Sequence, residues 1–194
     1  MMRIGIIGKG NVGSAIGKGL IGKGHEVKFG HRDPKEPVID AAQWGEVIIL
    51  AVPYDAVDDV VKEIDSVADG KIMLDVTNAV AENWDLAIGG PFSAAERLQK
   101  LAPKARVVKA FNTVFAVNQS TGKVGKEQLT LFVASDDAKA KQIVMQLGRD
   151  IGFDAVDAGM LKSARYLEGM AIMLMYMAFV LGMGTGIGYR LAKA

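Results

Sequence analysis

The chain has no cysteine and only two histidines. Without thiols it can form no disulfide, iron–sulfur cluster or thiol nucleophile. It suits a reducing compartment, so a cytoplasmic protein is expected. Bulk charge is also missing: 23 Lys and Arg against 22 Asp and Glu leave a net +1, which gives no field for nucleic acid. No internal repeat or low-complexity linker is visible, and no signal-peptide pattern precedes the first apolar run. What is present is a chain of 194 residues, 50% of them hydrophobic, enough for one core domain plus an extension.

The stretch RIGIIGKGNVGSAIGKGLIGKGHEVKFGHRDP carries the strongest signal. Arg3–Ile7 reads as a buried parallel strand, and Gly8, Gly10 and Gly13 follow in G-x-G-x-x-G spacing. Residues 14–22 have a helical pattern, and Glu26–Gly30 reads as a second strand. In that context each glycine has a task. Gly8 makes the tight turn, Gly10 lets the backbone approach a pyrophosphate, and Gly13 lets helix and strand pack closely. The free N–H groups of the helix start then bind phosphate.

The end of the second strand chooses the dinucleotide. NAD sites place an Asp or Glu there for the ribose 2′-hydroxyl; this chain has Gly30-His31-Arg32. An arginine suits a 2′-phosphate because a guanidinium pairs bidentately with phosphate oxygens, so NADP is expected. Lys9 and Lys35 add positive charge. Asp33 offers the opposite reading, as a ribose holder, but it precedes Pro34 and reads as a turn residue.

Further strands are read at 47–52, 71–76, 106–111, 129–134 and 155–157, with helical segments at 54–64, 93–101 and 138–151. This alternation predicts an α/β fold: a Rossmann-like doubly wound parallel sheet, strand order 3-2-1-4-5-6, with a C-terminal helical extension. Residues 1–158 would form the dinucleotide-binding domain and 159–194 the extension. Pro34 to Pro37 and Gly89-Gly90-Pro91 read as surface loops.

Ligands in such sheets sit outside the carboxyl ends of the strands. Those ends read Ala51-Val52-Pro53-Tyr54, Asp75-Val76-Thr77-Asn78 and Lys109-Ala110-Phe111-Asn112-Thr113. Asn and Thr at strand ends are often only turn and cap residues. Two such pairs on one rim nevertheless mark a candidate site, able to orient a carboxamide or ring carbonyl. His25 and His31 flank the second strand, on the adenosine side, so no acid–base residue is expected at a hydride site. No metal-ligand set is read either.

From Gly169 to Tyr189 run 21 uncharged residues, five of them methionine. The length would suffice for a membrane helix, but Gly182, Gly184, Gly186 and Gly188 interrupt it, leaving a helix of 164–181. No stable span is expected. Such an apolar helix should be buried on the domain or on a second copy.

The segments GIIGKGNVGSAIGKGL, GHRDP, LAVPYDAV, DVTNAV and VVKAFNTVFA, with the tail KSARYLEGMAIMLMYMAFVLGMGTGIGYRLAK, resemble the NADP oxidoreductases that use the deazaflavin coenzyme F420. They also resemble the reductase domain of the six-transmembrane ferric reductases. The glycine fingerprint is common to many families; KAFNT and the A-R-x-L-E tail are much more specific. The resemblance implies hydride transfer between NADP(H) and F420. It implies that Arg32, His31 and Lys35 hold the 2′-phosphate and that Gly8, Gly10, Asn11 and Val12 line the pyrophosphate. It further implies that Val52, Pro53, Ala110, Asn112 and Thr113 frame the nicotinamide and the second ring. Lys9, Ala51 and Asn78 complete the candidate set. The tail helix would close the pocket and pair subunits into a homodimer or higher homo-oligomer. Two positions depart from the family: Lys9 replaces a small hydroxyl residue, and Phe115 replaces a proline. Transfer between stacked rings needs reacting atoms about 3–3.5 Å apart more than it needs proton donors, which suits this rim. The alternatives are FMN or FAD with a ferric or quinone acceptor, and a non-catalytic NADPH-sensing module.

Overall fold

The computed structural model describes residues 1–81, 85, 87–88 and 91–192; Gly89 and Gly90 of the expected loop, and Lys193, lie outside the described residues. The chain runs β1 (Arg3–Ile7), α1 (Asn11–Ile21), β2 (Glu26–Gly30), α2 (Val38–Trp44), β3 (Val47–Leu50), α3 (Val57–Ala68), β4 (Ile72–Asp75), α4 (Ala94–Leu101), β5 (Arg106–Lys109), α5 (Ala116–Gln119), the hairpin strands β6 (Lys123–Val124) and β7 (Glu127–Gln128), β8 (Thr130–Val133), α6 (Ala138–Ile151), β9 (Asp154–Asp157) and α7 (Ala164–Met175).

Strands β1 to β5 form one parallel sheet in the order β2-β1-β3-β4-β5. The expected order 3-2-1-4-5-6 is therefore corrected. After β2 the short helix α2, which the sequence reading missed, carries the chain straight back across β1, so β3 lies on the other side of β1. The direction of winding reverses between β1 and β3, and that is where such sheets leave a crevice. Strands β8 and β9 pair in parallel as a separate sheet, joined to β5 by an antiparallel bridge between Lys109 and Ala134.

Alternate strand residues feed two hydrophobic clusters, one per face. Ile4, Ile6, Ile49, Leu74 and Val108 pack with Ile16 and Leu20 of α1 and Val144 of α6. Ile7, Ile48, Leu50, Met73 and Val107 pack with Ala41 of α2, Val61 of α3 and Leu98 of α4. Strands buried on both faces read as continuous apolar runs, which is why they were legible.

Helix α7 turns Leu167, Ala171 and Leu174 inward, passes into a π-helical turn at Tyr176–Val180 and ends at Leu181, just before the glycines. Gly182 and Gly184 adopt φ of +72° and +70°, left-handed values that cost glycine nothing. The chain then returns to β8, where the Thr130 N–H donates to Tyr189 O at 2.9 Å. The outer face of the tail, with Met173, Tyr176, Phe179 and Leu181, stays exposed on a single chain. Among the described residues no helix is long and apolar enough to cross a membrane.

The start of α4 is clamped to α7. Ser93 and Glu96 form a reciprocal capping box, and Arg165 donates to both Glu96 carboxylate oxygens at 2.8 and 2.6 Å. The Arg165 guanidinium, helped by Ser93, holds the Glu96 carboxyl down to about 2. A lowered carboxyl pKa contributes stability above its unfolded value of 4.5 and loses it as pH falls through about 2. Arg165→Leu should therefore destabilise the fold near neutral pH, modestly because the arginine is largely exposed. The gap from the parent should shrink steadily in acid. Urea unfolding across that range checks it; a pH-independent gap would assign the loss to packing instead.

Candidate dinucleotide-binding site

The turn after β1 is built by its glycines. Gly8 takes φ +106°, and a Cβ there would come within 2.2 Å of the Ala51 carbonyl oxygen. A Cβ at Gly13 would lie 2.1 Å from Gly8 O, so only glycine lets α1 sit down on the turn. Gly10 is different. Its backbone is extended, at φ −76° and ψ −169°, and a Cβ would meet nothing within 4 Å. The space beside it is groove, not protein. No side chain caps α1, so its first N–H groups are open to an anion.

Adjoining cavities run along the carboxyl ends of the strands. The largest, about 560 Å³, is lined by Gly8, Lys9, Gly10, His31, Arg32 and the strand-end residues Ala51, Val52 and Pro53. A second, about 310 Å³, continues from Gly10, Asn11 and Val12 past Pro53 to Thr77 and Asn78. A third, about 340 Å³, extends the other way past Arg32 to Pro34 and Glu63. The result is an elongated groove with backbone donors at its middle and cations towards one end, a shape that fits a dinucleotide.

The predicted residues divide. Arg32 is exposed and makes no hydrogen bond or ion pair among the described residues. Asp33 is the turn residue it was read to be, its carboxylate accepting from the Lys35 N–H at 2.9 Å. Lys35 is exposed in that turn and lines none of these cavities. Lys9 and His31 line the groove but share an unforeseen partner, Glu36. The Lys9 ammonium, and behind it His31, hold the Glu36 carboxyl below its usual range.

At the other end Ala110, Asn112 and Thr113 are buried behind the rim rather than on it. Strand β5 stops at Lys109, earlier than read, and Phe111 turns the chain with φ +64°, an uncommon value for a bulky residue. Asn112 acts through Asn78. Its Nδ2 donates to Leu167 O at 3.0 Å and to Asn78 Oδ1 at 3.2 Å, while Asn78 Nδ2 donates back to Asn112 O at 3.0 Å. The Asn78 amide that faces the groove is thus fixed in orientation.

Beneath this rim lies a charged cluster that sequence reasoning also missed. Lys109, fully buried, donates to Asp75 Oδ2 at 2.9 Å and Thr77 O at 2.7 Å, and its Nζ lies 3.5 Å from Glu168 Oε1. Glu168 in turn accepts the N–H groups of Ala94 and Ala95 at the start of α4. Burial pushes the Glu168 carboxyl up, against the pull of Lys109 and those N–H groups. The available signal was a lysine closing the apolar strand VVK.

A sequence profile of the family described as NADP oxidoreductase, coenzyme F420-dependent, matches residues 3–44 and 35–79. The chain is 31% identical over 186 residues to Metalloreductase STEAP3 of Rattus norvegicus, covering 89% of this chain and 37% of that protein. It is 28% identical to the F420-dependent NADP reductase of Methanothermobacter marburgensis, over 89% of this chain and 91% of that one. A crystal structure from Arthrobacter sp. FB24, provisionally described as an F420-dependent NADP-reductase, superposes over 100% of both chains with a TM-score of 0.90 at 26% identity.

Proposed function

This chain belongs to the family of coenzyme F420-dependent NADP oxidoreductases, and from that premise we propose that it binds NADP(H) along the groove and passes hydride between NADP(H) and F420. The observation that carries the reading is Arg32, a guanidinium on the groove wall beside the glycine turn with no partner among the described residues. When bound, the two cofactors supply the hydride chemistry. The chain's own residues bind and orient. Gly10, Asn11 and Val12 offer backbone N–H groups to the pyrophosphate. Arg32, with Lys9 and His31 behind it and Lys35 at the turn, faces the 2′-phosphate. Ala51, Val52 and Pro53 give the nicotinamide an apolar bed, and Asn78, steadied by Asn112, reads its carboxamide. The C-terminal extension would close the groove, and its exposed Met173, Tyr176 and Phe179 would pair copies into a cytoplasmic homodimer or higher homo-oligomer.

Mixing the protein with reduced F420 and NADP in a stopped-flow cell should produce NADPH absorbance. The identity to a metalloreductase favours a second reading, in which FMN or FAD takes the hydride for a ferric acceptor. Turnover with flavin and none with F420 would select it. Arg32→Ala should weaken NADP by about 1.5–3 kcal/mol, the range for hydrogen bonds to charged groups, and leave NAD nearly untouched by calorimetric titration. Equal loss for both dinucleotides would show that Arg32 is not the phosphate reader.

A further inference from the structure

Glu36 has no part in that binding mode, yet it sits where Lys9 and His31 of the adenosine end converge. Its carboxylate accepts from Lys9 Nζ at 2.8 and 2.9 Å and lies 2.6 Å from His31 Nε2. Both partners line the groove beside Arg32. The backbone holds it there: the Glu36 N–H donates to Asp33 O at 2.9 Å, and the His31 N–H donates to Glu36 O at 2.8 Å. The turn from His31 to Glu36 thus closes on itself and returns the acid to the end of β2. Its side chain is 39% exposed, and although Glu36 itself lines none of the groove cavities, it is held against two residues that do.

We infer that Glu36 is a specificity-determining residue that admits NAD(H) alongside NADP(H): its carboxylate accepts the adenosine 2′-hydroxyl of NAD, whereas a 2′-phosphate must take Lys9 and His31 away from it. This rests on the dinucleotide reading above. The two dinucleotides meet different charges at the same place. A ribose hydroxyl needs an acceptor, and Glu36 is an acceptor already aimed by Lys9 and His31. A phosphate needs donors. Arg32 is available without displacing anything, while Lys9 and His31 are available only by breaking existing pairs next to a like charge. The carboxylate therefore favours NAD and opposes NADP, and the site discriminates only as far as Arg32 outweighs it.

The test is calorimetric titration of NADP and NAD into parent and Glu36→Gln protein in one buffer. Glu36→Gln should tighten NADP and weaken NAD, each by about three- to tenfold, the scale of one hydrogen bond or charge pair. Glu36→Asp, too short to reach both Lys9 and His31, should move the ratio the same way and stands in if the glutamine variant does not fold. Equal shifts for both dinucleotides, or no shift, would overturn the inference while leaving NADP binding intact. A parent protein that binds neither dinucleotide would overturn the groove assignment itself, and this inference with it.

Discussion

Gly10→Val should leave the protein folded and remove dinucleotide binding. Both halves follow from the turn. The Gly10 backbone is extended, where valine is at ease, and a Cβ there touches nothing within 4 Å. The substitution also restricts the unfolded chain, which favours the native state slightly. In the groove the same side chain stands where a pyrophosphate must approach the N–H groups of Asn11 and Val12. Losing two or more charge-assisted hydrogen bonds weakens binding by more than about 100-fold. Thermal melting by circular dichroism should match the parent, and titration with NADP should show no heat. Gly13→Val is the contrast: its side chain would drive into Gly8 O and damage the fold itself. A Gly10→Val protein that binds NADP as the parent does would place the pyrophosphate elsewhere.

Gly10 also shows why this end of the molecule was readable from sequence. Glycine spacing records backbone requirements that are local: a turn at Gly8, an open flank at Gly10, a close contact at Gly13. Buried strands are local too, since β1 beyond Arg3 and the whole of β3 are unbroken apolar runs. The strand order was not legible, because it depends on α2, seven residues long and with no more pattern than VIDAAQW. The rim was half legible. Asn78 faces the groove, but nothing local says that Asn112 lies behind it; that depends on the positive φ of Phe111 and on Leu167, 55 residues away in the chain. Glu36 was hidden for the opposite reason. It is close in sequence to Arg32, but its partner Lys9 comes from the other side of β2.

Lys109→Met should be among the most damaging single changes in the core. Methionine fills much the same volume, so packing is nearly conserved and the effect isolates the charge. Asp75 and Glu168, each only 2% exposed, would lose their shared cation. Breaking a buried charged group by removing one partner costs about 3–5 kcal/mol. At this chain length that lowers the melting temperature by roughly 6–20 °C. The stranded Glu168 carboxyl would escape by taking up a proton. Glu168 already has its carboxyl pushed up by burial, and without Lys109 it rises further. An acid whose pKa is raised by folding contributes most below its unfolded value and loses that contribution as pH rises through the folded one. The deficit of Lys109→Met should therefore be largest at neutral pH and narrow towards the unfolded carboxyl pKa of 4.5. Adding Glu168→Gln should recover part of the loss at neutral pH, because an amide has no charge to strand. Urea unfolding of the three proteins across pH measures both effects. A deficit that does not change with pH would mean that Lys109 stabilises the rim by its contacts alone. The consequence would reach the groove as well, because the lysine ties β4, β5, α4 and α7 together directly under Thr77 and Asn78.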